Sequence, residues 1–368
     1  MPTDELVVLS HLRWHFVWQR PQHLISRLAA GRPTWFVEEP IATSVDEPVL
    51  RWEASGPVTR VWLEVPGPER HVHFGDPVAA SYGDRLARLL GWRAGRIAWL
   101  YTPMALDVAR AVEPSMLVYD VMDDLASFKD APPAMRTRRE ALLAEAGLVF
   151  TGGRSLQRGV AALRPDAHCF PSGVELEHFL PARSERQPRL RPVAGYVGVV
   201  DERIDLDLVA GLAAALPDWD LEIVGPVVKI DPGALPVSPN LRYRGAQPYE
   251  RLPSVMAGFD VALMPFALNE ATRSISPTKT LEYLAAGLPV VSTRVPDVVT
   301  DYSDIVALGE GPDQFAAACR EGQAGPASER DRVAWPVLRR QHWNAIAGRM
   351  DSLVGQAVAA GRLLEETA

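Results

Sequence analysis

The stretch Arg273-Ser-Ile-Ser-Pro-Thr-Lys-Thr-Leu-Glu-Tyr-Leu-Ala-Ala-Gly287 collects residue types that can hold a phosphate and a ribose within a few turns of chain. Ser276 and Pro277 read as the N-cap and first residue of a helix, and Gly287 as its stop before Pro289. A capping box would place Glu or Gln three residues after Ser276, yet Lys279 stands there, a cation at the positive end of the helix dipole. An anion at the helix start would explain that choice. Backbone N–H groups, Ser276, Thr278, Lys279 and Arg273 would then converge on phosphate oxygens. Glu282 shares the face of Thr278 and Lys279 and could accept hydrogen bonds from ribose hydroxyls. The plainer alternative is that Lys279 and Glu282 pair with each other, worth a few tenths of a kcal/mol.

Other candidates lie at the ends of apolar runs. Gly195-Tyr-Val-Gly198 closes one of them, and Gly198 allows either close approach of a ligand to the backbone or tight packing. Arg203 follows shortly, and Lys229 is a weaker cation that a solvated loop would also explain. Near the start, the run Leu6–Leu9 leads into His11, Trp14, His15, Trp18, Arg20 and His23 where a dinucleotide fold would carry Gly-x-Gly-x-x-Gly. Aromatic faces and planar donors suit a sugar, with His11, Trp14 and Arg20 as the candidates; alternatively Trp14, Phe16 and Trp18 alternate into a core. Asp120, Asp123 and Asp124 follow the run Met116–Tyr119, where Asp120 and Asp123 could orient an acceptor hydroxyl and Asp123 act as a base. Helix capping by Asp123 or Asp124 and a metal site are the alternatives, the latter disfavoured by the spacing. Arg136, Arg138 and Arg139 read as a solvated helix face.

These residues need elements to hold them. Apolar runs at Leu6–Leu9, Thr34–Val37, Arg60–Val65, Ile97–Tyr101, Met116–Asp120 and Leu148–Thr151 alternate with helical stretches at Pro21–Ala30, Pro103–Val112 and Pro133–Ala146. Thr102-Pro103 supplies a cap and a first helical residue. A second series has strands at Val193–Val200, Leu221–Val224, Leu241–Arg244, Val261–Pro265, Pro289–Ser292 and Ile305–Leu308, with helices at Leu206–Leu216, Glu250–Ala257 and Pro277–Ala286. The alternation predicts two doubly wound α/β units with ligands beyond the carboxyl ends of their strands, facing a central cleft. Pro181–Pro192 carries three prolines and almost no large apolar residue. The expected division is therefore residues 1–182, a linker at 183–192, residues 193–330, and C-terminal helices at 331–368 that cross back to the first domain.

Composition sets the outer limits. The 368 residues are 47% hydrophobic and 23% charged, as in an ordinary globular protein of more than one core. A net charge of −8 argues against a nucleic-acid partner. Cys169 and Cys319 are too few for a disulfide framework or a cysteine zinc site, and both read as reduced and structural. Met1–Ser10 lacks the pattern of a secretion signal, which gives the expectation of a cytoplasmic address.

The Arg273–Gly287 stretch resembles the donor site of GT-B glycosyltransferases of the retaining family-4 kind. In these, two glutamates separated by seven residues contact the donor sugar and the ribose. By that resemblance Glu282 is the ribose-binding glutamate, and the other falls at Ser274, a departure that weakens sugar recognition. The segments Ser10–His23, Tyr119–Asp124, Phe150–Gly153, Val200–Arg203 and Val224–Asp231 extend the resemblance to bacterial transferases of cell-surface polysaccharide assembly, of the teichuronic acid type. Some of these stand beside UDP-galactopyranose mutase. The resemblance implies a GT-B fold of two Rossmann-like domains, the first binding the acceptor and the second the nucleotide sugar. It implies transfer from a nucleotide sugar, UDP-linked in expectation, to a carbohydrate or lipid-linked glycan, with retention and no cofactor or metal. Gly198, Arg203, Arg273, Ser276, Thr278, Lys279 and Glu282 would hold the donor. Arg203 and Lys279 would stabilise the departing diphosphate. A peripheral contact with the inner face of the membrane fits a lipid-linked acceptor. Rival readings on the same fold are a sugar-nucleotide epimerase or hydrolase, and a non-catalytic nucleotide- or glycan-binding partner of another transferase.

Overall fold

A computed structural model describes residues 4–16, 18–128, 131–186 and 189–367. Gln187 and Pro188, part of the expected linker, lie outside the described residues, as does Val17. The chain forms two compact units, Met1–Phe170 with Asn344–Ala368, and Pro171–Trp343.

The strands of unit 1 are β1 (Glu5–Ser10), β2 (Thr34–Glu38), β3 (Ile41–Thr43), β4 (Val49–Ser55), β5 (Val58–Pro66), β6 (Arg70–His71), β7 (Arg96–Leu100), β8 (Met116–Val121), β9 (Leu148–Thr151) and β10 (His168–Cys169). They lie in the order β10-β9-β8-β7-β1-β2-β5-β3-β6, parallel except for β6, with β4 antiparallel to β5. Buried Val7, Leu9, Val37, Leu100, Tyr119 and Leu142 belong to one core, which explains why these strands read as continuous apolar runs. The strand β4 shows no such run: Arg51, Trp52 and Glu53 are exposed on it, and it turns into β5 through Gly56 at φ 59. The Thr102 hydroxyl accepts from the Met104 amide at 3.3 Å, but the turn it caps is a 3-10 turn, Pro103–Ala105, ahead of the helix Leu106–Ala111.

Unit 2 has β11 (Val193–Val197), β12 (Asp220–Val224), β13 (Leu241–Gly245), β14 (Val261–Met264), β15 (Val290–Ser292) and β16 (Ala307–Leu308), all parallel in the order β13-β12-β11-β14-β15-β16. The strand order reverses between β11 and β14, where a doubly wound sheet opens a crevice at its carboxyl edge. In unit 1 the reversal falls between β1 and β7. Asp205 caps the helix Leu206–Ala215 by accepting from the Leu208 amide at 2.8 Å.

The contact boundary lies at Phe170, ahead of the Pro181–Pro192 stretch. Short helices at Leu176–Phe179 and Pro181–Ser184 bury Phe179 and Ala182 in the core of unit 2, and Arg183 donates to the Leu284 and Ala285 carbonyls. The C-terminal stretch is two helices, Ala327–Arg340 and Trp343–Thr367. The residues between them are engaged in unit 2: Gln341 accepts from the Val174 amide through its carbonyl and from the Tyr302 hydroxyl through its side chain, and His342 meets Glu177 at 2.9 Å. From Asn344 onward the chain belongs to unit 1, burying Ile346, Met350 and Val354. Both cysteines are free thiols, and burial pushes the Cys319 thiol up to about 12. Among the described residues no helix is long and apolar enough to cross a membrane.

Candidate functional site

At the carboxyl edge of unit 2, the loops leaving β11 and β12 are bound to each other. The Gly198 amide donates to the Val224 carbonyl at 2.9 Å, Val200 to Pro226 at 2.9 Å, and Val228 to Val200 at 3.0 Å. Gly225, at φ 150, sits so close that an added Cβ would lie 1.8 Å from the Gly198 carbonyl oxygen. At Gly198 itself, φ 159, an added Cβ would lie 2.5 Å from the Tyr196 hydroxyl. Gly225→Ala is expected to cost about 2–3 kcal/mol, because neither backbone can retreat without breaking those bonds; a urea titration of unfolding checks this.

The loop from β11 continues into Asp201–Asp205, which is hydrogen-bonded to the loop leaving β14: Asp205 donates to the Pro265 carbonyl and Ala267 to that of Arg203. Arg203 Nε and Nη2 lie against the Asp201 carboxylate at 2.7–3.1 Å, so its charge is already opposed in this conformation. The loop then turns through Asn269 and Thr272, whose amide and side-chain groups bond one another. Arg273 stands out in solvent, 72% exposed, 3.6 Å from Glu270.

The helix that follows is Lys279–Ala285, with Thr278 at its N-cap and no side-chain cap bond. It starts later than the sequence predicts: Ser276 and Pro277 precede it outside the helix, and Ser276 is held through its carbonyl by the Ser172 hydroxyl at 2.9 Å. Lys279 Nζ donates to Glu282 Oε2 at 2.7 Å, the plain pairing named above. Lys279 is partly buried and the Glu282 side chain is only 7% exposed. The lysine is thus held close to the helix start, and its partner carboxylate is shielded. Ser276 and Thr278 are half-buried beside them. Lys229 is exposed, at φ 63.

In unit 1 the structure separates the candidates into buried and accessible groups. Arg20, 4% exposed, grips Asp120, 0% exposed, through Nε at 3.0 and 3.1 Å and Nη2 at 2.9 Å, and its Nη1 donates to the Phe170 carbonyl at 2.8 Å. Burial alone would push the Arg20 guanidinium down, but Asp120 outweighs it and holds it above its usual value. These two residues fasten the start of the helix Arg20–Leu28 to the end of β8, and an acceptor would meet neither directly. Trp14 is also removed from the surface: it is 8% exposed, packs on Phe36 with ring centres 4.9 Å apart, and donates its backbone amide to Glu38. The core alternative thus holds for Trp14, whereas Phe16 and Trp18 are 57% and 38% exposed. His11, Asp123 and Asp124 remain half-buried at this edge, with Asp124 accepting from the Ser127 hydroxyl at 2.7 Å.

Glu38 went unnoticed in the sequence. This fully buried carboxylate at the end of β2 accepts from Arg13 at 3.0 Å, from Arg60 at 2.7 and 3.1 Å and from the Trp14 amide at 2.8 Å. It holds Arg13 and Trp14 of the segment that follows β1, and only the Glu-Glu pair closing an apolar strand signals it in the sequence. Among the described residues no three His, Cys, Asp or Glu side chains gather as metal ligands would.

Residues 191–322 match the family model described as glycosyl transferases group 1. Over 206 residues the chain is 29% identical to a putative teichuronic acid biosynthesis glycosyltransferase, TuaH, of Bacillus subtilis strain 168; the match spans 52% of this chain and 52% of that relative. A solved sucrose-phosphate synthase from Thermosynechococcus elongatus superposes with a TM-score of 0.70 at 16% identity, covering 97% of this chain and 100% of the other. The E. coli trehalose-6-phosphate protein bound with UDP-2-fluoro glucose gives 0.71 at 14%, covering 96% and 99%. At such identities the structures speak for the fold, which is GT-B.

Proposed function

From a chain of GT-B fold whose residues 191–322 carry a glycosyl transferases group 1 domain, we propose a glycosyltransferase of cell-surface polysaccharide synthesis. It moves a sugar from a UDP-linked donor, with retention, to a carbohydrate or lipid-linked glycan. The observation that carries this reading is the Lys279–Glu282 pair, held at the start of a helix that follows β14, beside the strand reversal of the matched domain. A nucleoside diphosphate entering there would exchange Glu282 for phosphate oxygens on Lys279 and leave the carboxylate for the ribose hydroxyls. Arg203 and Arg273 reach the same anion if Asp201 and Glu270 give them up. Developing negative charge on the leaving diphosphate is then met by fixed cations, which is electrostatic catalysis without need of a metal or other cofactor.

On unit 1, His11, Asp123 and the exposed Trp18 are the groups offered to an acceptor, and Asp123 is the carboxylate that could take or orient the proton of the attacking hydroxyl. Arg20, Asp120 and Trp14 support that surface from inside. The work is placed in the cytoplasm, with peripheral contact to the inner membrane face where the acceptor is lipid-linked.

Incubation with a panel of nucleotide sugars tests the proposal. UDP should be released from one of them, faster when a glycan acceptor is present. Release or isomerisation that ignores the acceptor would favour an epimerase or hydrolase, and UDP binding with no turnover on any acceptor would favour a silent partner.

A further inference from the structure

Tyr283 is the one fully buried polar aromatic of the short helix Lys279–Ala285, and the donor reading does not use it. Its hydroxyl accepts from the Val197 amide at 2.7 Å and donates to the Val197 carbonyl at 3.2 Å. Val197 is the last residue of β11, immediately before Gly198. The ladder between β11 and β14 stops at Gly195 and Ala262, two residues short of Val197. The phenol therefore fills the place of the next rung, at the point where the strand order reverses and the sheet opens.

A buried amide and carbonyl left without partners would each carry a desolvation penalty, so this one side chain both closes the sheet edge and fixes the helix to it. Burial pushes the Tyr283 phenol well above its usual range, so it stays protonated and keeps its donor role at any working pH. The bond joins two segments separated by 86 residues: Val197 leads into the Gly198–Asp205 loop, and Tyr283 follows Glu282. Other bonds hold the same helix: Ser172 on the Ser276 carbonyl at the approach, the Thr280 hydroxyl on the Met264 sulfur of β14 at 3.4 Å, and at the far end Arg183 on the Leu284 and Ala285 carbonyls and Arg186 on the Ala286 carbonyl. None of these reaches β11.

We propose that Tyr283 is a positioning residue of the donor site, setting the Lys279–Glu282 end of the helix against the Gly198–Arg203 loop so that both meet one diphosphate. The inference rests on the donor reading given above. Without the hydroxyl, the two segments keep their own packing but lose their shared reference point, and a ligand bridging them must order them itself.

The test is Tyr283→Phe, measured by calorimetric titration with UDP on the full chain, with Tyr302→Phe as a control. Tyr302 is an equally buried tyrosine of unit 2 whose hydroxyl donates to Gln341, away from the site, so its loss reports the general cost of a missing phenol bond. Tyr283→Phe should raise the Kd for UDP about tenfold, the equivalent of one lost hydrogen bond, and Tyr302→Phe should leave it within twofold even where both lower Tm alike. An unchanged Kd in folded Tyr283→Phe, or an equal rise in both variants, overturns the proposal. If Tyr283→Phe does not fold, amide exchange in the wild-type protein decides: UDP should slow exchange at Val197, Gly198 and Lys279–Glu282 together, and protection of the helix with none at Val197 is the contrary result. Wild-type protein that binds no UDP at all overturns the donor reading itself, and this inference with it.

Discussion

Replacing Asp120 by alanine is expected to destabilise unit 1 by about 3–5 kcal/mol, a shift of roughly 10 °C in its unfolding transition. The reason is what remains, since Arg20 would stay in the interior with its charge unopposed and Nε and Nη2 without acceptors. The pair itself need not be worth that much, because two ions taken out of water recover little net energy from each other. The double variant Arg20→Met with Asp120→Leu should accordingly lie closer to wild type than Asp120→Ala alone. Differential scanning calorimetry of the three proteins checks both statements, and an Asp120→Ala protein within 1 °C of wild type would refute the argument. The effect on transfer should follow the folded fraction, since neither side chain is open to an acceptor.

Lys279→Ala is expected to give the largest loss of activity, on the order of a hundredfold or more in acceptor-dependent UDP release, with UDP binding weakened strongly. The substitution removes a cation from the anion's place and leaves Glu282, with 7% of its side chain exposed, facing the diphosphate with no counter-charge. Two effects therefore add. They can be separated, because Lys279→Ala with Glu282→Gln removes the repulsion while leaving the cation missing, and should bind UDP better than Lys279→Ala does. Arg273→Ala should weaken binding less, as befits a side chain standing in solvent that must first be ordered. Wild-type affinity for UDP in Lys279→Ala would remove the donor site from this helix.

The sheets were legible in the sequence because both faces of their central strands are covered, leaving unbroken apolar runs such as Leu6–Leu9 and Val261–Met264. The edge strand β4 was not, since Arg51, Trp52, Glu53 and Ala54 are all exposed, leaving no apolar alternation, and its pairing is set by β5. Local charge arrangements could be listed but not resolved: Lys279 and Glu282 lie three apart on any helix, and the sequence offers an anion or a self-pair with equal geometry. Long-range partners were beyond reach. The Arg20–Asp120 bond spans 100 residues, so its two ends looked like independent polar candidates, and Glu38, which gathers Arg13 and Arg60 from 25 and 22 residues away, went unread. Burial, visible only once the chain is folded, turned Arg20, Asp120 and Trp14 from prospective ligand contacts into supports.

The helix from Asn344 onward closes unit 1 after the whole of unit 2 has intervened. Arg27 bonds to Asn344 at 2.6 Å, Arg32 pairs with Asp351, and Arg349 lies over Phe170 at 5.3 Å. A nascent chain thus finishes the contiguous unit, 171–343, while the earlier-made unit still waits for its last piece. Unit 2 can be cut out as one uninterrupted gene segment. Unit 1 cannot, and would need residues 344–367 grafted directly after Phe170 to be expressed with its own helix.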